Sequence, residues 1–164
     1  MDRWDLVLDR EIRRAVRVAI VGVGNPARGD DAAGTLVARG LLAGLGSSPG
    51  KVLVIAAEEA PENFTGVIRA FGPDLSLLVD CAAAGRRPGA LFLVDPAGVA
   101  EDAVSTHRIP LSRLARYIRE TMGCRVLILG IEPVSFENGA RLSPAVDRAV
   151  RKAVGVLRKA LDVK

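Results

Sequence analysis

The segment Val21-Gly22-Val23-Gly24-Asn25-Pro26-Ala27-Arg28-Gly29-Asp30-Asp31-Ala32-Ala33-Gly34 constrains this chain most, because an apolar run enters a glycine-rich turn there and a helical pattern leaves it. A helix N-terminus carries partial positive charge and unpaired N–H groups, so a turn built for phosphate gains nothing from carboxylates at its rim. Asp30 and Asp31 stand at that junction and point instead to a site that takes a cation.

Around this turn the apolar spacing alternates between strand and helix. Trp4, Leu8 and Ile12 recur at helical intervals, and the run from Val16 to Val23 reads as the first strand. Leu36, Val37, Leu41 and Leu42 form a helical stripe that Gly44, Gly46, Ser47, Ser48, Pro49 and Gly50 end. Val52 to Ile55 reads as a second strand, Pro61 to Phe71 as a short helix, and Leu75 to Val79 as a third strand ending at Asp80. Pro88-Gly89 turns the chain into Ala90 to Val94, a strand expected to pair hairpin-like with the third. Leu111, Leu114, Ile118 and Met122 mark a helix capped by Gly123, Val126 to Leu129 the last strand, and Ser143-Pro144 the N-cap and first position of a terminal helix.

This alternation predicts one α/β domain over residues 1–164, a three-layer α/β/α sandwich with a central twisted sheet of about five strands, mixed but mostly parallel. Residues 1–14 read as an extra N-terminal helix covering one face. With strand order 2-1-3, the first and third strands are neighbours whose chains leave to opposite faces, so ligands belong in the crevice between their carboxyl ends. Asp31 and Asp80 both border that crevice.

Composition excludes other classes. The 23 Lys and Arg alternate with 19 Asp and Glu, and only 4% of residues are aromatic, so neither a basic run nor a stacking platform is present for nucleic acid. No apolar stretch approaches the roughly 20 residues that span a bilayer, and Asp2, Arg3 and Asp5 do not open a signal peptide. Cys81 and Cys124 share no metal-ligand spacing, which suits a reduced, cytoplasmic compartment. A monomer without nucleic-acid or membrane partners is the expectation.

His107, the sole histidine, lies in the polar stretch Val104-Ser105-Thr106-His107-Arg108-Ile109-Pro110 before a helix. Asp31, Asp80 and His107, drawn from three loops, would make a ligand set for a borderline divalent ion with positions left open. Plainer roles exist for each: Asp30 or Asp31 as helix caps, Asp80 as a cap after a strand, His107 as a surface residue. Arg86, Arg87 and Arg108 sit near the same edge and could meet an acidic tail, or could be ordinary solvated arginines.

Gly22-Val23-Gly24-Asn25, then Arg28-Gly29-Asp30-Asp31 and Gly34, resemble the opening signature of the hydrogenase maturation endopeptidases. Ala60-Pro61-Glu62-Asn63, Leu78-Val79-Asp80, Ser105-Thr106-His107 with Pro110-Leu111, and Leu129-Gly130-Ile131-Glu132-Pro133 are similar to its formate-hydrogenlyase-type branch. The resemblance implies a hydrolase that removes the C-terminal extension of a nickel–iron hydrogenase large-subunit precursor after nickel insertion. It also implies that Asp31, Asp80 and His107 bind the nickel carried by that precursor, with other divalent metals able to substitute, in an aspartyl-type site that guides recognition or takes part in the chemistry.

The chain departs from that pattern at Ala32, where many relatives carry glycine, and at Ala56-Ala57-Glu58-Glu59, where Asp-Gly-Gly is common. Rival readings are a dinucleotide-binding domain, a nucleophile and a non-catalytic chaperone. Gly22, Gly24 and Ala27 satisfy a loose dinucleotide fingerprint with Glu58 at the end of the second strand, although Pro26 removes an N–H and paired Asp would repel pyrophosphate. Cys81 or Ser105 could be activated by His107 and Asp80, although packing is the simpler role for Cys81. Nickel-dependent binding of the precursor without cleavage is the third.

Overall fold

The computed structural model describes residues 3–45, 50–97, 111–136 and 141–162. Helix α1 (Trp4–Arg14) leads into β1 (Val18–Val23), followed by a 3-10 turn (Gly29–Ala32), α2 (Ala33–Gly44) and β2 (Val52–Glu58). A second 3-10 turn (Pro61–Phe64) precedes α3 (Thr65–Phe71); then come β3 (Leu75–Cys81), β4 (Leu91–Val94), α4 (Leu111–Met122), β5 (Arg125–Ile131) and α5 (Pro144–Asp162).

The strands form one five-stranded sheet in the order β2-β1-β3-β5-β4. All neighbours run parallel except β4, which is antiparallel to β5. The mixed α/β architecture expected from the alternation is therefore present, as is the adjacency of β1 and β3. The partner of β4 differs from expectation: it lies beside β5, at the edge, rather than beside β3. Register explains the choice, since Phe92 faces Gly130 and a Cβ on Gly130 would fall 2.4 Å from the Phe92 ring. A glycine in β5 thus makes room for an aromatic in β4.

Every residue of β1 and of β3 is buried, as central strands covered on both faces require. Alternate side chains feed two cores. Val18, Ile20, Leu77 and Leu127 pack with Leu8, Ile12, Leu41 and Leu157 from α1, α2 and α5. Val21, Leu78 and Ile128 pack with Ile68 and Ile118 from α3 and α4 on the opposite face. Trp4, Leu8 and Ile12 of α1 are all buried, each worth about 1.5–3 kcal/mol, so the N-terminal helix belongs to the core. Gly72 and Gly123, at φ 65°, close α3 and α4 through backbone bonds to Ile68 and Arg119. No helix among the described residues is long and apolar enough to cross a membrane.

Candidate functional site

The glycine turn serves close packing. A Cβ on Gly22 would fall 2.2 Å from the Gly34 carbonyl oxygen, and one on Gly34 would fall 2.1 Å from that of Val79 and 2.3 Å from that of Val23. Two glycines therefore let the start of α2 descend onto the carboxyl ends of β1 and β3, at the point where successive connections diverge. The chain leaving β1 enters α2 on one face, whereas the helix that follows β3 and β4, α4, packs on the other. Gly24 adopts φ 144°, and its Cβ would collide with the Asp31 carbonyl oxygen at 1.9 Å, so the turn itself folds back against the Asp pair.

Asn25 sets the loop. Its backbone N–H donates to Asp31 Oδ2 at 3.1 Å, its side-chain carbonyl accepts the Ala27 N–H at 2.9 Å, and its amide donates to Glu59 at 3.0 Å. Thr35 closes the other side by donating its hydroxyl to the Gly24 carbonyl at 2.6 Å. Ala32 has φ −70° and ψ −13°, an ordinary helical conformation, so alanine sits there without strain. Glu58 differs: its φ of 54° is left-handed, and its side chain pairs with Arg39 at 2.9 Å. A ribose-binding role for Glu58 competes with that pairing.

The two acids of the turn do different work. Asp30 accepts N–H bonds from Val134 at 2.8 Å and Ser143 at 2.7 Å, a longer one from Ser135 at 3.4 Å, and the Ser143 hydroxyl at 3.0 Å. It ties the chain after β5, and the N-cap of α5, to the first turn. Ser143 caps α5 as expected, receiving the Val146 N–H at 3.4 Å. Asp31, 1% exposed, takes the single Asn25 N–H on one oxygen, and Asp80, fully buried, takes the Cys81 N–H at 2.8 Å on one oxygen. Oδ1 of Asp31 and Oδ2 of Asp80 are buried oxygens that accept no hydrogen bond among the described residues.

Asp31 and Asp80 are thus brought to the same end of the sheet, with Asp30 beside them. Glu132 joins them: it is 6% exposed, follows β5, and accepts the Ala84 N–H at 2.8 Å. Sequence reasoning gave Glu132 no role, although Gly130-Ile131-Glu132-Pro133 at a strand end was the available signal. Cys81 reports their convergence. Burial first, then the negative charges of Asp80, Asp30, Asp31 and Glu132, push its thiol far above the ordinary value. A thiol so held is protonated at neutral pH, which suits the packing role and not a nucleophile.

His107 lies outside the described residues, with Ser105 and Arg108. Among the described residues no group of three or more His, Cys, Asp or Glu side chains is placed to hold a metal ion. Arg86 stacks its guanidinium 4.8 Å above the Phe92 ring, and Glu62 is exposed in the second 3-10 turn.

Comparison with known proteins bears on this arrangement. The family model for HycI, the hydrogenase maturation protease, matches residues 39–160, a span that includes Asp80 and Glu132 and begins after Asp31. The Hydrogenase 3 maturation protease of Escherichia coli K12 is 38% identical over 112 residues, covering 68% of this chain and 69% of that one. The crystal structure of the NiFe hydrogenase maturation protease HycI from Thermococcus kodakarensis KOD1 superposes with a TM-score of 0.87 at 33% identity, over 95% of this chain and 99% of that one. The solution structure of the endopeptidase HycI from Escherichia coli gives 0.71 at 31% identity, over 85% and 87%. Fold and sequence agree, and the chain belongs to the HycI hydrogenase maturation protease family, as a peptidase.

Proposed function

We propose that this peptidase removes the C-terminal extension of a nickel–iron hydrogenase large-subunit precursor once nickel has been inserted, and that Asp31, Asp80 and His107 recognise the nickel that the precursor carries. The observation that carries this reading is the burial of Asp31 and Asp80, from two separate chain segments, at the carboxyl ends of β1 and β3. Family membership supplies the substrate class.

The donor set fits the ion. Two carboxylates and an imidazole are hard-to-borderline ligands that suit a divalent first-row metal and leave coordination positions open to thiolates of the precursor. A cation delivered by the substrate would add to binding energy only when nickel is present, which is how such ligands make processing depend on the metal. Such an ion, when bound, also supplies a Lewis acid that can polarise a carbonyl or a water. Asp30 stands apart from the ligands in this reading, because its oxygens are committed to Val134 and Ser143.

Asp31→Asn, Asp80→Asn and His107→Gln are the variants that test the site. Each is expected to lose processing of the nickel-loaded precursor by at least about a hundredfold, a loss of the size seen when a ligand or its support is removed, while circular dichroism stays that of the wild type. Wild-type processing by any one variant removes that residue from the site. A reduced, cytoplasmic setting is consistent with Cys81 and Cys124 both being free thiols.

A further inference from the structure

We propose that the open cavity bordered by α1, α5 and the segment 86–91 is a docking subsite for an acidic stretch of the peptide substrate. The cavity measures about 660 Å3, and its walls include Trp4, Arg87, Gly89, Arg148 and Lys152. Among the described residues no aspartate or glutamate lines it. On α5 the lining positions Ala145, Arg148, Ala149 and Lys152 recur at helical spacing and present one face, small residues alternating with cations.

Those cations are uncommitted to acids. Arg13, Arg39, Arg125 and Arg151 are each paired with a carboxylate, whereas Arg87, Arg148 and Lys152 form no ion pair among the described residues. Lys152 places its Nζ 5.7 Å from the centre of the Trp4 ring, so an indole face and an ammonium share one wall. Carboxylate side chains carry an anionic head on a short apolar stem, which is what a wall of that mixture accommodates. A free inorganic anion would use the charge and waste most of the volume.

The position of the cavity ties it to peptide processing. The Gly89 N–H donates to the Glu132 carbonyl at 2.8 Å, the Glu132 N–H donates to the Ala90 carbonyl at 2.9 Å, and the Glu132 carboxylate accepts the Ala84 N–H. One segment, leaving β3 just after Asp80, therefore borders the buried carboxylates at its start and the basic cavity at its end. Gly89 keeps that wall against α5: its φ is 78°, and a Cβ there would fall 2.6 Å from the Ala145 carbonyl oxygen. A substrate chain passing the carboxylates meets the cavity next. The identity of the occupant rests on the precursor-processing reading; the anion chemistry of the walls does not.

Trp4 is the only tryptophan, so fluorescence excited selectively at tryptophan, away from the Tyr117 absorption, reports on this cavity. Full-length protein is titrated with pentaglutamate, pentaglutamine and inorganic phosphate, as wild type and as the Arg87→Gln, Arg148→Gln, Lys152→Gln variant, whose changed residues are all exposed. Pentaglutamate is expected to give a saturable change that is about tenfold weaker in the variant and weaker in high salt, with no response to pentaglutamine. In precursor processing the variant is expected to raise KM about fivefold or more with kcat within about twofold, as the loss of uniform binding requires. Equal pentaglutamate binding by variant and wild type, no binding by the wild type, or phosphate binding as tight as the peptide would each overturn the subsite. Failure of the wild type to process the precursor counts against the proposed function instead, and the peptide titration then decides the cavity by itself.

Discussion

Ser143 is joined to Asp30 twice, its backbone N–H donating to Oδ1 at 2.7 Å and its hydroxyl to Oδ2 at 3.0 Å. The start of the last helix is thereby pinned to the turn after the first strand, next to the proposed nickel ligand Asp31. Of the two adjacent aspartates, Asp30 is the one that holds the later chain, through Val134 and Ser143.

Asp30→Ala is therefore expected to destabilise the fold by about 2–4 kcal/mol, because buried N–H groups of Val134 and Ser143 lose their acceptor. Urea unfolding measures it. A loss under about 1 kcal/mol would show that the carboxylate is not the latch described.

Asp31→Asn and Asp80→Asn should cost less than Asp30→Ala. Each amide keeps an acceptor oxygen for the Asn25 or Cys81 N–H, so a loss of under about 1 kcal/mol is expected. Differential scanning fluorimetry of both variants in metal-free buffer is the check, and a marked fall in Tm would mean the charges are held by structure.

Glu58 sits at φ 54°, where a side chain clashes and glycine does not. Glu58→Gly is expected to be about 1 kcal/mol more stable than Glu58→Ala; both lose the Arg39 ion pair, so the difference isolates the backbone term. Equal stabilities would refute the strain.

Cys81 and Cys124 are both buried, and burial raises the pKa of each thiol, helped at Cys81 by Asp80 and the acids around it. A raised thiol pKa means less thiolate at a given pH, so the native protein should resist iodoacetamide at pH 8 and take up both equivalents only once unfolded. Intact mass before and after denaturation reads this directly. Rapid native labelling of Cys81 would reopen the nucleophile.

Much of this was legible in the sequence because it is local. Apolar periodicity identifies Trp4–Leu8–Ile12 as a helix and the run before Gly22 as a strand, and the strand order 2-1-3 assumed for the crevice is the one the sheet has. The edge position of β4 was not, since Phe92 finds its space over Gly130 only after α4 has intervened. Non-local pairing also hid the latch role of Asp30, whose partners Val134 and Ser143 lie far along the chain, and the place of Glu132 among the buried acids. Arg87 was visible as a possible contact for an acidic tail, but Arg148, Lys152 and Trp4 join it only through the packing of α1 on α5.

The most direct test is incubation of the purified protein with nickel-loaded and nickel-free hydrogenase large-subunit precursor, followed by intact-mass analysis. Loss of a C-terminal peptide from the nickel-loaded form alone is the predicted result. Equal cleavage of both forms would contradict nickel recognition by Asp31, Asp80 and His107, and an intact nickel-loaded precursor would contradict the assignment of this substrate.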